Sequence, residues 1–202
     1  RKTGYCIDDN ARALMLVTWA DFLLKDEDAK KMIPVYSSFM RFMQKDDGGF
    51  ANFMDYSRNH MEEKGSDDSN GRAIWALGFL IWRNSDGGYK SFASEMLKRS
   101  FNIIPKLNLR GKAFAALGIA CYLRVFSSDD QAFELLRRIS GELLASYDKH
   151  TDEQWKWFED ILCYDNAIIP MALFNAYGIL REERVLKTAK ESLEFLEKIV
   201  FN

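Results

Sequence analysis

Seven carboxylates are concentrated in three polar segments of this chain: Asp8 and Asp9, Asp67 and Asp68, and Glu159, Asp160 and Asp165. Tyr5, Phe50, Trp155, Trp157 and Tyr164 stand beside acids in sequence. Paired carboxyl groups among flat apolar rings suit sugar chemistry. Glycoside hydrolysis needs two carboxyls, about 5–5.5 Å apart for retention and about 6.5–9.5 Å for inversion. Glu159, flanked by Trp157 and Phe158, is the candidate general acid, because apolar neighbours favour the protonated form. Asp9 or Asp68 is the candidate base. The expected substrate contacts are Tyr5, Asp8, Asn10, Arg12, Asp67, Asn70, Arg72, Trp157, Asp160, Tyr164, Asp165 and Asn166.

Plainer roles compete with these. Asp9, Ser69 and Asp165 are good helix N-cap types. Arg12 and Arg72 suit ion pairs with neighbouring acids, and Glu159 and Asp160 suit solvated loop positions. Trp75 and Trp82 read as core. His60 and His150 are isolated, and neither an HxxxH nor a CxxC spacing occurs, so no metal or other cofactor is expected. The GxSxG, P-loop and GxGxxG patterns are also missing.

The elements that position these residues show as an internal repeat. Asp9-Asn10-Ala11-Arg12-Ala13-Leu14, Ser69-Asn70-Gly71-Arg72-Ala73-Ile74, Leu109-Arg110-Gly111-Lys112-Ala113-Phe114 and Asp165-Asn166-Ala167-Ile168-Ile169-Pro170 each open an apolar run. Positions 10, 70, 110 and 166 are separated by 60, 40 and 56 residues, about the length of a helix pair with its loops. The first helix of each pair is apolar nearly all round, as in Ala73–Trp82 and Ala113–Leu123. Such a helix is sheathed by others. The second helices are amphipathic: Val35, Phe39, Phe42 and Met43 recur at helical spacing, as do Phe92, Met96, Leu97 and Phe101. Ala132, Leu135, Leu136 and Ile139 do the same, and so do Leu186, Ala189, Leu193 and Leu196. An inner ring of first helices and an outer ring of second helices follows. Gly78, Gly118 and neighbouring alanines would let inner helices approach closely. Asp8, Asp9 or Asn10, Ser69 or Asn70, and Asp165 or Asn166 are expected to cap the inner helices, which gathers the polar segments in one funnel.

Composition agrees with a helical domain. The chain has 202 residues, 48% hydrophobic and 29% charged, with only 3 Pro. A net charge of −2 without a basic stripe argues against nucleic acid. No apolar run is long enough to span a bilayer. Cys6, Cys121 and Cys163 are read as free thiols in a reducing compartment, the cytoplasm. The chain opens at Arg1-Lys2-Thr3-Gly4 without an initiator Met, so residues 1–202 are read as one domain of a longer polypeptide.

Three stretches point further. They are Gly4-Tyr5-Cys6-Ile7-Asp8-Asp9-Asn10-Ala11-Arg12-Ala13-Leu14, Asp67-Asp68-Ser69-Asn70-Gly71-Arg72-Ala73-Ile74-Trp75-Ala76-Leu77-Gly78 and Trp157-Phe158-Glu159-Asp160-Ile161-Leu162-Cys163-Tyr164-Asp165-Asn166-Ala167. Together they resemble the α/α-toroid region found C-terminal to family-4-type glycosyltransferase domains in bacterial proteins. That region is similar to the six-hairpin glycosidase superfamily. The resemblance implies a carbohydrate substrate or ligand and an N-terminal glycosyltransferase domain as covalent partner. Two departures stand out. The repeat gives four hairpins where a complete toroid has six, and Asn70 occupies a position where the pattern has His.

The expectation is therefore an all-α, incomplete α/α toroid that is carbohydrate-active and glycosidase-like. The alternative is a non-catalytic carbohydrate-binding or scaffolding module. A helical-repeat interaction surface is a third possibility. Acids facing each other across open space favour the enzyme; acids consumed by caps and arginines favour the module.

Overall fold

The computed structural model describes residues 4–62 and 64–201. Its helices pair in sequence: α1 (Ile7–Leu24) with α2 (Glu27–Met43), and α3 (Asp67–Arg83) with α4 (Gly87–Arg99). Next come α5 (Leu109–Leu123) with α6 (Asp130–His150), and α7 (Ile168–Leu180) with α8 (Glu183–Phe201). Helices α1, α3, α5 and α7 lie side by side as an inner row, and each even-numbered helix packs outside its own partner. The four expected hairpins of an α/α toroid are present.

The inner row is joined most tightly between α3 and α5. A Cβ added at Gly78 would lie 2.0 Å from the Gly118 carbonyl oxygen, and one at Gly71 would lie 2.4 Å from that of Gly111. The two helices therefore run parallel, in matched register, with backbone against backbone at a seven-residue interval. Small residues permit such an approach, and the large side chains beside them fill the flanks. On α5, thirteen of fifteen residues are buried.

The outer helices present amphipathic stripes, with one correction. On α2 the buried positions are Ile33, Ser37, Met40 and Met43. Val35 and Phe42 are exposed, although their spacing placed them on the inward face. The register is set by the partner helix, and the surface tolerates isolated apolar side chains. On α4 and α6 the expected Met96, Leu97, Ala132, Leu136 and Ile139 are buried.

The expected caps need correction too. Cys6 precedes α1 and makes no side-chain cap bond. Ser66 caps α3 by accepting from the Ser69 amide, three residues before the expected position. Ala167 precedes α7, again without a side-chain cap. Asp8, Asp9, Asn10, Ser69 and Asn70 therefore lie inside first turns, which frees their side chains for other partners. Asn10 and Asn70 turn back onto carbonyls four residues earlier, Cys6 at 2.7 Å and Ser66 at 2.8 Å.

The segment between α2 and α3 folds back on the start of α1. Strand β1 (Tyr5–Cys6) pairs antiparallel with β2 (Phe53–Met54), and the Ile7 amide donates to the Asn52 carbonyl at 2.9 Å. Gly48 makes the turn before it with φ of 89°, a left-handed conformation that glycine adopts freely. Among the described residues, no helix is long and apolar enough to cross a membrane.

Candidate functional site

The loops leading into the inner helices lie at one end of the row, and their charged side chains meet there. Arg72, on the second turn of α3, reaches two other hairpins. Its Nη1 donates to Asp8 Oδ1 of α1 at 2.8 Å, and its Nη2 donates to Asp165 Oδ2 in the loop before α7. Arg12 holds the second oxygen of Asp8 at 2.9 Å, one helical turn away. Burial works against the Arg72 charge, but Asp8, then Asp165 and Asp68, more than offset it and raise the guanidinium pKa above its usual value. Asp165 has φ of 46°, a left-handed conformation that aspartate tolerates better than most residues.

A second knot surrounds Arg110, which is 5% exposed. Its Nη1 donates to Glu159 Oε1 at 2.9 Å, and its Nη2 lies 2.8 Å from Glu159 Oε2. Nε donates to the Tyr164 carbonyl at 2.7 Å, and Nη2 reaches Asn166 Oδ1 at 3.2 Å. The guanidinium also lies over the Tyr164 ring, 4.8 Å from its centre. Tyr164 donates its hydroxyl to Asp68 Oδ2 at 2.6 Å, and that bond is the main reason its pKa is pushed up to about 12. Asn108 completes the chain of contacts: its amide donates to Asp67 Oδ2 at 2.8 Å and its Nδ2 to Asp68 Oδ1 at 3.4 Å.

Beside this lattice lies a cleft of about 470 Å³. Arg12, Arg72, Asp165 and Asn166 supply its polar side, and Met15, Trp75, Phe114 and Met171 its apolar side. The Trp75 and Phe114 rings are stacked with centres 6.0 Å apart and planes 25° apart. Arg72 lies 4.4 Å over the Phe114 ring and so joins the two sides. A concave apolar floor with a few convergent polar groups has the general form of a small-ligand site.

The structure thus brings Asp8, Arg12, Asp67, Asp68, Arg72, Glu159, Tyr164, Asp165 and Asn166 into one region. Other nominated residues do different work. Trp157, expected as a sugar platform, is 0% exposed and packs against Phe158 and Phe195 beneath α8. Asn70 is buried and accepts from the Phe50 amide at 2.8 Å, which fixes the loop after α2. Asn10 is spent on its own helix. Tyr5 packs edge-on against Phe39 and Tyr56 and is half-exposed. The Asp160 side chain is 88% exposed and lies 4.0 Å from His150, outside the lattice. Glu159 does not meet the apolar surroundings that its neighbours in sequence suggest, because Arg110 grips its carboxylate. Asp9 is exposed and has no ion-pair partner among the described residues.

Arg110 was not among the residues nominated from sequence. Its signal was present in the repeat: aligning Gly71 with Gly111 puts Arg110 in the column of Asn70, so a long cation replaces a short amide. Trp75, expected in the core, is only partly buried against it and also lines the cleft. Among the described residues, no three His, Cys, Asp or Glu side chains gather as metal ligands.

Fold and hairpin order define an α/α toroid. In three dimensions the chain is similar to cellobiose 2-epimerase from Bacillus thermoamylovorans, with a TM-score of 0.74 at 13% sequence identity. The match covers 98% of this chain and 62% of that enzyme, so the chain spans less than two thirds of the enzyme's length. At that identity the likeness establishes the fold alone. No protein-family model and no curated protein matches the chain in sequence.

Proposed function

We propose that this chain is a carbohydrate-binding toroid module, with a sugar ring seated against Trp75 and the methionines Met15 and Met171 and its hydroxyls facing Arg12, Asp165 and Asn166. One observation carries the reading: the acids at the mouth are already engaged. Hydrolysis requires two carboxyl groups facing a gap. Of the three nominated for acid or base work, Glu159 is held by Arg110 and Asp68 by Tyr164, which leaves Asp9. The arginine–carboxylate lattice then serves to fix the cleft's shape. A saccharide ligand is supported by the toroid fold, whose solved likeness is by name a sugar-converting enzyme. The sequence resemblance adds a glycosyltransferase domain as covalent partner, for which the module would hold a glycan near the point of transfer.

The test is a glycan array followed by titration calorimetry on the captured saccharide. Trp75→Ala should weaken binding at least about 10-fold, the loss of one ring contact of roughly 1.4 kcal/mol. Asp9→Asn and Glu159→Gln should retain binding, and the wild-type chain should not cleave the bound saccharide. A second reading, glycosidase-like catalysis, is favoured by the exposed, unpaired Asp9. Turnover by the wild-type chain that disappears in folded Asp9→Asn or Glu159→Gln protein would establish that reading and displace the first.

A further inference from the structure

A second cleft of about 250 Å³ opens at the same end of the molecule, bordering Asp67. It lies between the loop after α2, the start of α3 and the residues leading to α5. Lys45, Lys64 and Lys106 line it, together with Asp47 and Asp67. Both carboxylates are engaged internally. Asp47 accepts from the Gly49 amide at 2.9 Å and lies 3.7 Å from Lys45 Nζ. Asp67 accepts from the Asn108 amide at 2.8 Å. Lys64 and Lys106 come from different segments and make no ion pair among the described residues. In a chain of net charge −2, three lysines against two carboxylates leave one positive charge in excess around a half-open cleft. Ile103 and Leu107 add an apolar wall to it.

We infer that this second cleft binds an anionic saccharide, with a phosphate or carboxylate between Lys64 and Lys106 and the C–H face of the sugar against Ile103 and Leu107. The volume equals roughly eight waters of liquid, which is on the scale of one monosaccharide. Lysine ammoniums are compact point charges that suit either anion without demanding a planar partner. The ammoniums are solvated, so the attraction is screened by salt. The site does not use Trp75, Arg72 or Arg110 and shares only Asp67 with the lattice, so it stands or falls independently of the module reading.

The test uses the 202-residue chain with backbone amides followed by NMR. Glucose 6-phosphate, glucuronate, inorganic phosphate and glucose are titrated separately. The expected result is saturable shifts at Gly49, Phe50 and Asn70 with one or both anionic sugars, and none with glucose. The comparison between glucose 6-phosphate and glucuronate tells which anion is preferred. Affinity should fall at least about 10-fold in Lys64→Ala/Lys106→Ala, weaken with added salt, and persist in Trp75→Ala and in the control Lys30→Ala/Lys31→Ala. Exposed lysines leave the fold intact, which circular dichroism confirms for each variant. Binding that survives the Lys64/Lys106 double variant, or that falls equally in the Lys30/Lys31 control, would overturn the site. Inorganic phosphate binding as tightly as glucose 6-phosphate would overturn its assignment to a sugar.

Discussion

Helices α1 and α5 are both rich in Ala, Leu and aromatic residues, yet they live in different surroundings. On α5 thirteen of fifteen residues are buried, whereas on α1 only Ile7, Ala11, Leu14 and Thr18 are buried out of eighteen. Leu16 is 66% and Trp19 54% exposed. Helix α5 has inner neighbours on both flanks, α3 and α7, whereas among the described residues α1 packs closely against one inner neighbour, α3. The pair of central helices is further distinguished by four glycines in register, Gly71 and Gly78 against Gly111 and Gly118. Apolar composition marks a helix as belonging to the inner row. Small residues at a seven-residue interval mark where two inner helices touch.

The largest expected effect that sharpens this contrast is at the glycine seam. Gly78→Ala places a methyl 2.0 Å from the Gly118 carbonyl oxygen, so the helices must separate. Alanine's better helix propensity returns about 1 kcal/mol, against about 3 kcal/mol for forced repacking. A net loss of about 2 kcal/mol should appear in urea denaturation; a neutral substitution would mean that the central pair is no closer than the edge.

A smaller effect is expected behind the central pair. Asp129 caps α6 through the Ala132 amide, accepts from Tyr122 of α5 at 2.7 Å and pairs with Lys98 of α4 at 2.7 Å. Burial alone would push its pKa up, but Lys98, Tyr122 and the Ala132 amide together hold it at about 2, against 3.8 for an ordinary aspartate. A depressed carboxylate contributes stability above the unfolded pKa and loses it as pH falls through the folded one. The contribution is thus whole above about pH 4 and gone below about pH 2. Discounted for solvent near the group, it is about 1 kcal/mol. Asp129→Asn should be less stable by about that amount at pH 7 and should flatten the acid limb between pH 4 and pH 2. An unchanged acid limb would remove Asp129 from the set of ties that distinguish the centre.

The smallest effect belongs to α1. Leu16→Gln and Trp19→Gln should each change stability by less than about 0.5 kcal/mol, as solvated positions do. A loss above 1 kcal/mol in thermal unfolding would show that this face is covered in solution and would erase the contrast between edge and centre.

Much of this architecture was legible in the residues. The four repeats located the inner helices, and Gly78 and Gly118 located the closest contact. The convergence of Asp8, Arg72 and Asp165 followed from helices that start at the same end. Three things were hidden. The caps lie elsewhere because Asp8 and Ser69 are good cap types that sit within the first turns of helices begun by Cys6 and Ser66. Trp157 resembled a loop platform, because only the path of the chain under Phe195 makes it core. Arg110 went unnoticed because its partners, Glu159, Tyr164 and Asn166, lie 49, 54 and 56 residues further on, beyond any local pattern.

Those separations also bear on the order in which the chain is made. The ribbon joining Tyr5–Cys6 to Phe53–Met54 needs only the first hairpin and the segment after it, so it can form while α3 is still inside the ribosome. Arg110 must wait for Asn166, some fifty residues later in synthesis. The ribbon is thus available early, and the guanidinium that ties the loop before α7 to α5 can lock only when that loop arrives.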